Sequence, residues 1–177
     1  SVGVAGGSLG SARQLQSART PELPLRLYQM LNPQHLGAAV QRKAATHPED
    51  GVRFGAIKFF HGASLSGQTC WLSELYAGRP DYFGVPPARS QDVLDKLILS
   101  IHEAGLQAAV HANGDREIDM VVTAFERALA RRPRTDHRHR IEHCSVITPQ
   151  LLQRLRQAGL VAEIGRASCR ERVCYVV

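Results

Sequence analysis

Short apolar runs with strand character alternate with longer stretches of helical periodicity from Pro24 to Glu163, and this rhythm constrains the fold more than any single motif. Strands joined through crossover helices pair in parallel, so the alternation predicts a parallel sheet with helices against it. PLRLYQML, residues 24–31, reads as a strand. Asn32 then stands as N-cap of a helix over 33–46, with proline at its first position, where a missing N–H loses no bond. RFGAIKFF, residues 53–60, is the next strand. Ser90 caps a helix whose apolar face is Leu94, Leu97, Ile98 and Ile101, ending near Gly105. LQAAVH, residues 106–111, follows as a strand. Asp115 is placed to cap a helix over 116–131, in which Ile118, Val121, Val122, Phe125 and Leu129 recur at three- and four-residue spacing. RHRIEH, residues 138–143, is another strand. Thr148 and Pro149 open a helix through Ala158, Gly159 stops it, and residues 160–164 form a last apolar run. That makes five strands, with a sixth over residues 1–5.

Residues 61–89 are too long for an ordinary connection and are rich in Gly, Ser, Pro and aromatics, which marks a functional loop. The rhythm alone suits a doubly wound sheet or a barrel, and the strand ends decide between them. His111 terminates one strand and His143 the next, one βα unit later, so two imidazoles meet at the rim where barrels build their active sites. Alternation along RHRIEH sends His139, Ile141 and His143 to the inner face and Arg138, Arg140 and Glu142 to the outer one. His137 and His139 also form an HxH pair, but at the opposite end of the strand, which excludes them from the same site. His61 and His102 read as loop and helix residues, with His61 close enough to Lys58 to reach substrate. Asp115 has a second reading beside its cap, as a carboxylate that orients a metal ligand from behind.

Composition narrows the partners. The chain is 44% hydrophobic and 21% charged, ordinary for a globular protein, and no run approaches the length of a membrane span. The first ten residues lack the charged start and apolar centre of a signal peptide. Four cysteines without a CxxC pair support neither a thiolate zinc site nor a disulfide framework, which fits a reducing, cytoplasmic setting. The net charge of +6 invites a nucleic-acid reading, but only RRPRTDHRHR, residues 131–140, is densely basic, and such a run usually marks a solvated helix end.

The segments IKFFHGASLSGQTCWLSELY, VHANGDREID and HRIEHC, in this order and with helices between them, resemble the amidohydrolase superfamily, in particular the branch labelled amidohydrolase 3. The resemblance covers residues 24–163. It implies an α/β fold, an incomplete (β/α)8 TIM barrel retaining roughly strands 2 to 7. It also implies one or two divalent metal ions, with zinc expected. Carried over residue by residue, Lys58 matches the lysine of the family's fourth strand, His111 the histidine of its fifth and His143 that of its sixth. The HxH pair of the first strand and the proton-shuttling aspartate of the eighth fall outside this chain, so no catalytic residue is assigned. An ammonium repels a cation, so Lys58 qualifies as a ligand only as a free amine that adds carbon dioxide to become an anionic carbamate. Its competing reading is a lysine paired with a carboxylate.

Many relatives carry aspartate and then glycine before the serine that follows the lysine strand, whereas Gly62 and Ala63 stand here. His61, Ser64, Ser66, Trp71 and Tyr76 are candidates for contacting substrate, each with plain loop packing as its alternative. The resemblance implies hydrolysis of a non-peptide C–N bond in a small molecule by metal-activated water, such as an N-substituted formamide, N-acyl amine or cyclic amide. Two other readings stay open: a barrel hydrolase acting on esters, and a noncatalytic basic protein binding nucleic acid through Arg131 to Arg140. The leading reading involves neither nucleic acid nor membrane as partner and leaves self-association into a homo-oligomer open.

Residues 164–173, IGRASCRERV, resemble a translation of the adapter used in short-read sequencing libraries. Residues 1–163 are therefore read as a partial hydrolase barrel and 164–177 as a non-native tail. Setting aside Arg166, Arg170, Arg172 and Glu171 lowers the net charge from +6 to +4, and the cysteines fall from four to two. Ser1 is expected to fall inside or just after the second strand. A barrel lacking its first and last strands has open edges and part of a metal site, so little or no activity is expected of this chain alone.

Overall fold

The structure, a computed structural model, describes residues 2–7, 27–45, 52–164 and 175–176. Six strands form one parallel sheet: β1 (Val2–Gly7), β2 (Leu27–Leu31), β3 (Val52–Phe60), β4 (Gln107–Ala112), β5 (Arg140–His143) and β7 (Val161–Glu163). They neighbour one another in the order in which the chain visits them. β6 (Val146–Ile147) pairs separately, also in parallel, with β8 (Tyr175–Val176). Helices α1 (Leu36–Ala45), α2 (Gln91–Glu103), α3 (Asp115–Arg131) and α4 (Pro149–Gln157) occupy the crossovers, as parallel pairing requires. Among the described residues no helix is long and apolar enough to cross a membrane. Residues 24–26 of the predicted strand, Thr46, and residues 165–174 of the tail, with Cys169 and its three arginines, lie outside the described residues.

Some expected caps are absent. The first helix opens as a 3-10 turn, Pro33–His35, and neither Asn32 nor Ser90 makes a side-chain cap bond. Thr148 does cap its helix, with its hydroxyl accepting from the Leu151 N–H at 3.2 Å. Asp115 is not the cap of α3. Gly114 holds that position and Asp115 is the first helical residue.

Register assigns the two faces of the sheet. Parallel partners point to the same side, and successive residues to opposite sides. Ile57 pairs with Ala108 and Val110 with Ile141, and these residues join Phe59 and Ala112 in one buried cluster. Leu94, Ile98 and Ile101 of α2, Val121, Val122 and Phe125 of α3, and Leu151 and Leu155 of α4 complete it. Burying such side chains is the main favourable term of folding, about 1.5–3 kcal/mol for each large one. The opposite face carries a smaller apolar patch of Met30, Ala56 and Ala109 and then turns polar, with Lys58, His111, Arg140 and Glu142 in successive pairings.

This assignment corrects the alternation expected along β5. Ile141 lies in the helix-facing core, so Arg140 and Glu142 share the face of Lys58 and His111. His139 also belongs to the helix side, where it bonds to His102 of α2. The expectation that placed His139 and Ile141 on the inner face started the alternation one residue out of step.

His102, His137 and His139 form a buried network at the N-terminal end of the strands. His102 Nε2 is 2.7 Å from the Arg132 carbonyl, which only accepts, so Nε2 carries the proton and Nδ1 accepts from His139 Nε2–H at 2.8 Å. His139 Nδ1 accepts the Ala108 N–H at 3.0 Å, and His137 Nδ1 accepts the His139 N–H while its Nε2–H donates to the Ala158 carbonyl. Every ring nitrogen is committed in the neutral state, which is why the pair serves as structure. Burial and the neighbouring His137, Arg134 and His102 push the pKa of His139 down to about 2, and burial lowers His137 as well. The unfolded chain therefore binds more protons, so this stabilisation is complete above the ordinary histidine pKa of about 6.5 and is lost as pH falls below it. Urea unfolding at about pH 7.5 and 5.5 is expected to show a stability loss of at least ~1.4 kcal/mol, the share of His139 alone. Equal stability at the two values would contradict the neutral network.

Candidate metal centre

His111 comes from the C-terminal end of β4 and Lys58 from the neighbouring β3, on one face. His111 Nε2 lies 3.0 Å from the Ala63 carbonyl oxygen. Because a carbonyl cannot donate, Nε2 bears the proton and Nδ1 presents a bare lone pair. That Nδ1 is buried and has no hydrogen-bond partner. Asn113 adds a second donor to the same carbonyl through Nδ2 at 2.8 Å, and Nδ2 stands 3.1 Å from His111 Nε2. Ser145 and the Val146 N–H hold Asn113 in turn, at 2.8 and 2.9 Å.

His143 reaches this place by a backbone departure. Its register partner is Ala112, a helix-side residue, so regular alternation would carry the ring away from His111. Instead His143 has φ 74° and Cys144 φ 42°, and the two imidazole rings meet edge-on with centroids 4.7 Å apart. Left-handed backbone at residues other than glycine costs about 1–3 kcal/mol each and concentrates at functional sites.

Lys58 is 4% exposed, and its Nζ has no hydrogen-bond partner. The Phe60 ring, 4.8 Å from that of His111, sits with its centroid 5.1 Å from Nζ. Burial pulls the Lys58 pKa down to about 8 against the opposing pull of Glu142. The Glu142 carboxylate lies 2.5 Å from Arg140 Nε and acts on Lys58 by its charge, with no salt bridge between Glu142 and Lys58 among the described residues. Burial also lowers the pKa of His111 and His143, with Lys58 contributing to both, which keeps the rings neutral and their lone pairs free. The structure thus brings together the three expected ligands. Two of them carry an orphaned buried nitrogen, a donor set that fits a divalent cation once Lys58 is an anion. Among the described residues no group of three or more His, Cys, Asp or Glu side chains is arranged for an ion.

The most consequential residue missed in the sequence is Glu117. Its carboxylate is fully buried and accepts four backbone N–H groups: Ala63 at 3.1 Å and Trp71 at 2.8 Å on Oε1, Asn113 at 2.9 Å and Gly114 at 3.0 Å on Oε2. The signal was present as a glutamate three residues after the N-cap, the spacing of a capping box. Gly62 presses against it. A Cβ at that position would lie 2.1 Å from Glu117 Cδ, and Gly62 has φ 120°. Position 62 therefore has no room for a side chain without a shift of Glu117. Asp115, beside Glu117, binds Ser73 through the Ser73 N–H at 2.9 Å and its hydroxyl. It anchors the loop, and its recorded partners do not include His111 or His143.

The proposed substrate contacts fare differently. Ser64 is exposed, bonded within its own turn to Ser66 at 2.9 Å, one residue past the carbonyl that holds His111. Tyr76 is buried and donates to the Cys70 carbonyl at 2.9 Å, so it packs the loop. The Trp71 ring lies against the Arg116 guanidinium at 5.0 Å. His61, 1% exposed, continues the ladder through its N–H to the His111 carbonyl and offers substrate no surface in this conformation. The basic run is not a free patch either. Arg134 binds the carbonyls of His102 and Leu106, Arg138 pairs with Asp136, and Arg140 with Glu142. Cys70 and Cys144 are buried free thiols.

Comparison with known proteins identifies the family. The model of the amidohydrolase family matches residues 7–168. The chain belongs to that family. It is 32% identical over 113 residues to YtcJ of Bacillus subtilis (strain 168), a protein provisionally named an amidohydrolase, and 30% identical over 110 residues to Protein LONG AFTER FAR-RED 3 of Arabidopsis thaliana. These alignments cover 64% and 62% of the chain but 21% and 19% of those relatives, so it spans about a fifth of their length. Among solved structures, an uncharacterized metal-dependent hydrolase of Pyrococcus furiosus superposes with TM-score 0.69 at 26% identity, over 92% of this chain and 32% of that one. A second, from Pyrococcus horikoshii OT3, gives 0.70 at 21% identity, over 87% and 30%, and shares the fold.

Gly62→Ala tests the packing of family loop and helix. Strain at φ 120° plus the collision with Glu117 is expected to lower stability by about 1–3 kcal/mol in thermal unfolding, with faster proteolysis within residues 61–89. A wild-type melting curve would contradict the contact.

Proposed function

We propose that this chain is part of a (β/α)8 barrel and contributes His111, His143 and a carboxylated Lys58 to the metal centre of a hydrolase acting on a non-peptide C–N bond in a small molecule. An N-substituted formamide or N-acyl amine is the substrate class in view. The observation that carries the reading is the pair of orphaned buried nitrogens, His111 Nδ1 and Lys58 Nζ, beside His143 at the C-terminal ends of adjacent parallel strands. Six parallel strands in sequential order support the barrel, whose active sites lie at that end of the strands.

The chemistry that a divalent ion, zinc in the first instance, supplies when bound is Lewis acidity toward a carbonyl oxygen and a lowered pKa for water. The chain's own residues prepare the place. The Ala63 carbonyl fixes the His111 tautomer, as partners of metal-binding histidines do. Burial beside the Phe60 ring disfavours the ammonium of Lys58. The free amine attacks carbon dioxide, an N–C bond forms, one proton leaves to solvent, and the resulting carbamate is an anionic oxygen ligand. The Arg140 guanidinium lies against Glu142 and itself lowers the Lys58 pKa, partly offsetting the pull of that carboxylate.

Metal content decides the matter. The chain dialysed against zinc and bicarbonate is expected to retain the ion, with affinity falling at least about tenfold in His111→Ala, His143→Ala and Lys58→Gln. Withholding bicarbonate is expected to weaken the unaltered chain and leave Lys58→Gln unchanged. Zinc retention that ignores all three substitutions would refute the assignment.

A further inference from the structure

Capping a helix occupies one oxygen of Glu117, through the N–H groups of Asn113 and Gly114. The other oxygen reaches across to the loop and takes the N–H groups of Ala63 and Trp71. A buried carboxylate saturated by four amides is a stiff joint, because displacing any one donor exposes charge to an apolar surrounding. Two of the four donors belong to the residues that touch His111. Ala63 supplies the carbonyl that accepts His111 Nε2–H, and Asn113 donates to that carbonyl and lies 3.1 Å from Nε2. The peptide unit carrying this carbonyl is also gripped from its other end, where the Ser64 N–H donates to Thr69 Oγ1 at 3.2 Å.

We propose that Glu117 is a positioning residue for the metal centre: it holds Ala63 and Asn113 so that the Ala63 carbonyl selects the Nε2–H tautomer of His111 and leaves Nδ1 free to bind a divalent cation. Glu117 makes no hydrogen bond to His111 or His143 among the described residues; its charge reaches His111 weakly, and its positioning acts through the backbone of its partners. Glutamine cannot replace it, because one of its two terminal groups is a donor and would face two N–H groups. The metal half of this inference rests on the reading of His111 as a ligand, whereas the tautomer half stands by itself.

The test uses the full 177-residue chain and two readouts: the His111 tautomer by long-range proton–nitrogen NMR without metal, and zinc affinity by competition with a chelator. In the unaltered chain His111 is expected as Nε2–H. In Glu117→Gln the tautomers are expected to mix and zinc affinity to fall about tenfold. Should that variant fail to fold, lactic acid placed at position 63 by nonsense suppression replaces the Ala63 N–H with an ester oxygen, weakens the Gly62 carbonyl as an acceptor, keeps the Ala63 carbonyl an amide and leaves Glu117 its other three donors. There the tautomers are again expected to mix, with zinc affinity down roughly fivefold, as for one lost hydrogen bond. Retention of the pure Nε2–H tautomer and full zinc affinity in the folded variant overturns the proposal. Zinc that leaves the His111 resonances of the unaltered chain unmoved overturns the ligand reading instead, and the tautomer still reports on Glu117.

Discussion

One buried carboxylate decides how the polar end of this sheet is built. Glu117 starts helix α3, closes the turn after strand β4 and pins the return of a loop that leaves from strand β3, all with backbone N–H donors. Charge in an apolar interior is tolerated only when fully satisfied, and here satisfaction requires four peptide units from two distant stretches to arrive together. The loop of residues 61–89 carries little regular structure, yet it is held by this carboxylate, by Asp115 on Ser73 and by its own backbone bonds. It is ordered by polar contacts where its elements lack an apolar face.

The sheet divides the work between its sides. The helix side packs Ile57, Val110 and Ile141 against Ile98, Val121 and Phe125, a close-packed body that resists small shifts. That rigidity lets the other side hold what would not hold itself: an unpaired lysine nitrogen, two imidazoles in edge contact and two consecutive left-handed residues. The histidines illustrate the division. Those at the N-terminal ends of the strands have every nitrogen committed, whereas His111 keeps one uncommitted. Buried His61 also has no partner on either ring nitrogen, so a free lone pair alone does not distinguish His111; its place beside Lys58 and against the His143 ring does.

Much of this was legible in the sequence. The alternation of apolar runs and helical periodicity points to the parallel sheet, strand-end position singles out His111 and His143 and sets His137 and His139 apart, and Lys58 enters only through the family resemblance. The failures have physical causes. Aspartate is a good N-cap, which favours Asp115 on sequence alone, but glycine tolerates that position and the glutamate at the third helical residue does the bonding. The faces of β5 were inverted because alternation was anchored on His143, whose backbone leaves the extended region, a change that strand periodicity does not encode. Glu142, on the face of Lys58, was assigned outward for the same reason. Tyr76 and His61, expected as substrate contacts, are both buried in this conformation, a consequence of how the loop folds back that local composition does not encode.

The central claim is that His111 Nδ1 and Lys58 are the free ends of a metal site. Crystals grown with zinc and bicarbonate, measured on both sides of the zinc absorption edge, test it without reference to any substrate. The account predicts an anomalous peak at about 2.0–2.1 Å from His111 Nδ1, with His143 and a carbamate on Lys58 also in the coordination shell. A peak bound through His111 Nε2, or at His137 and His139 with the Lys58 nitrogen unmodified, would contradict it.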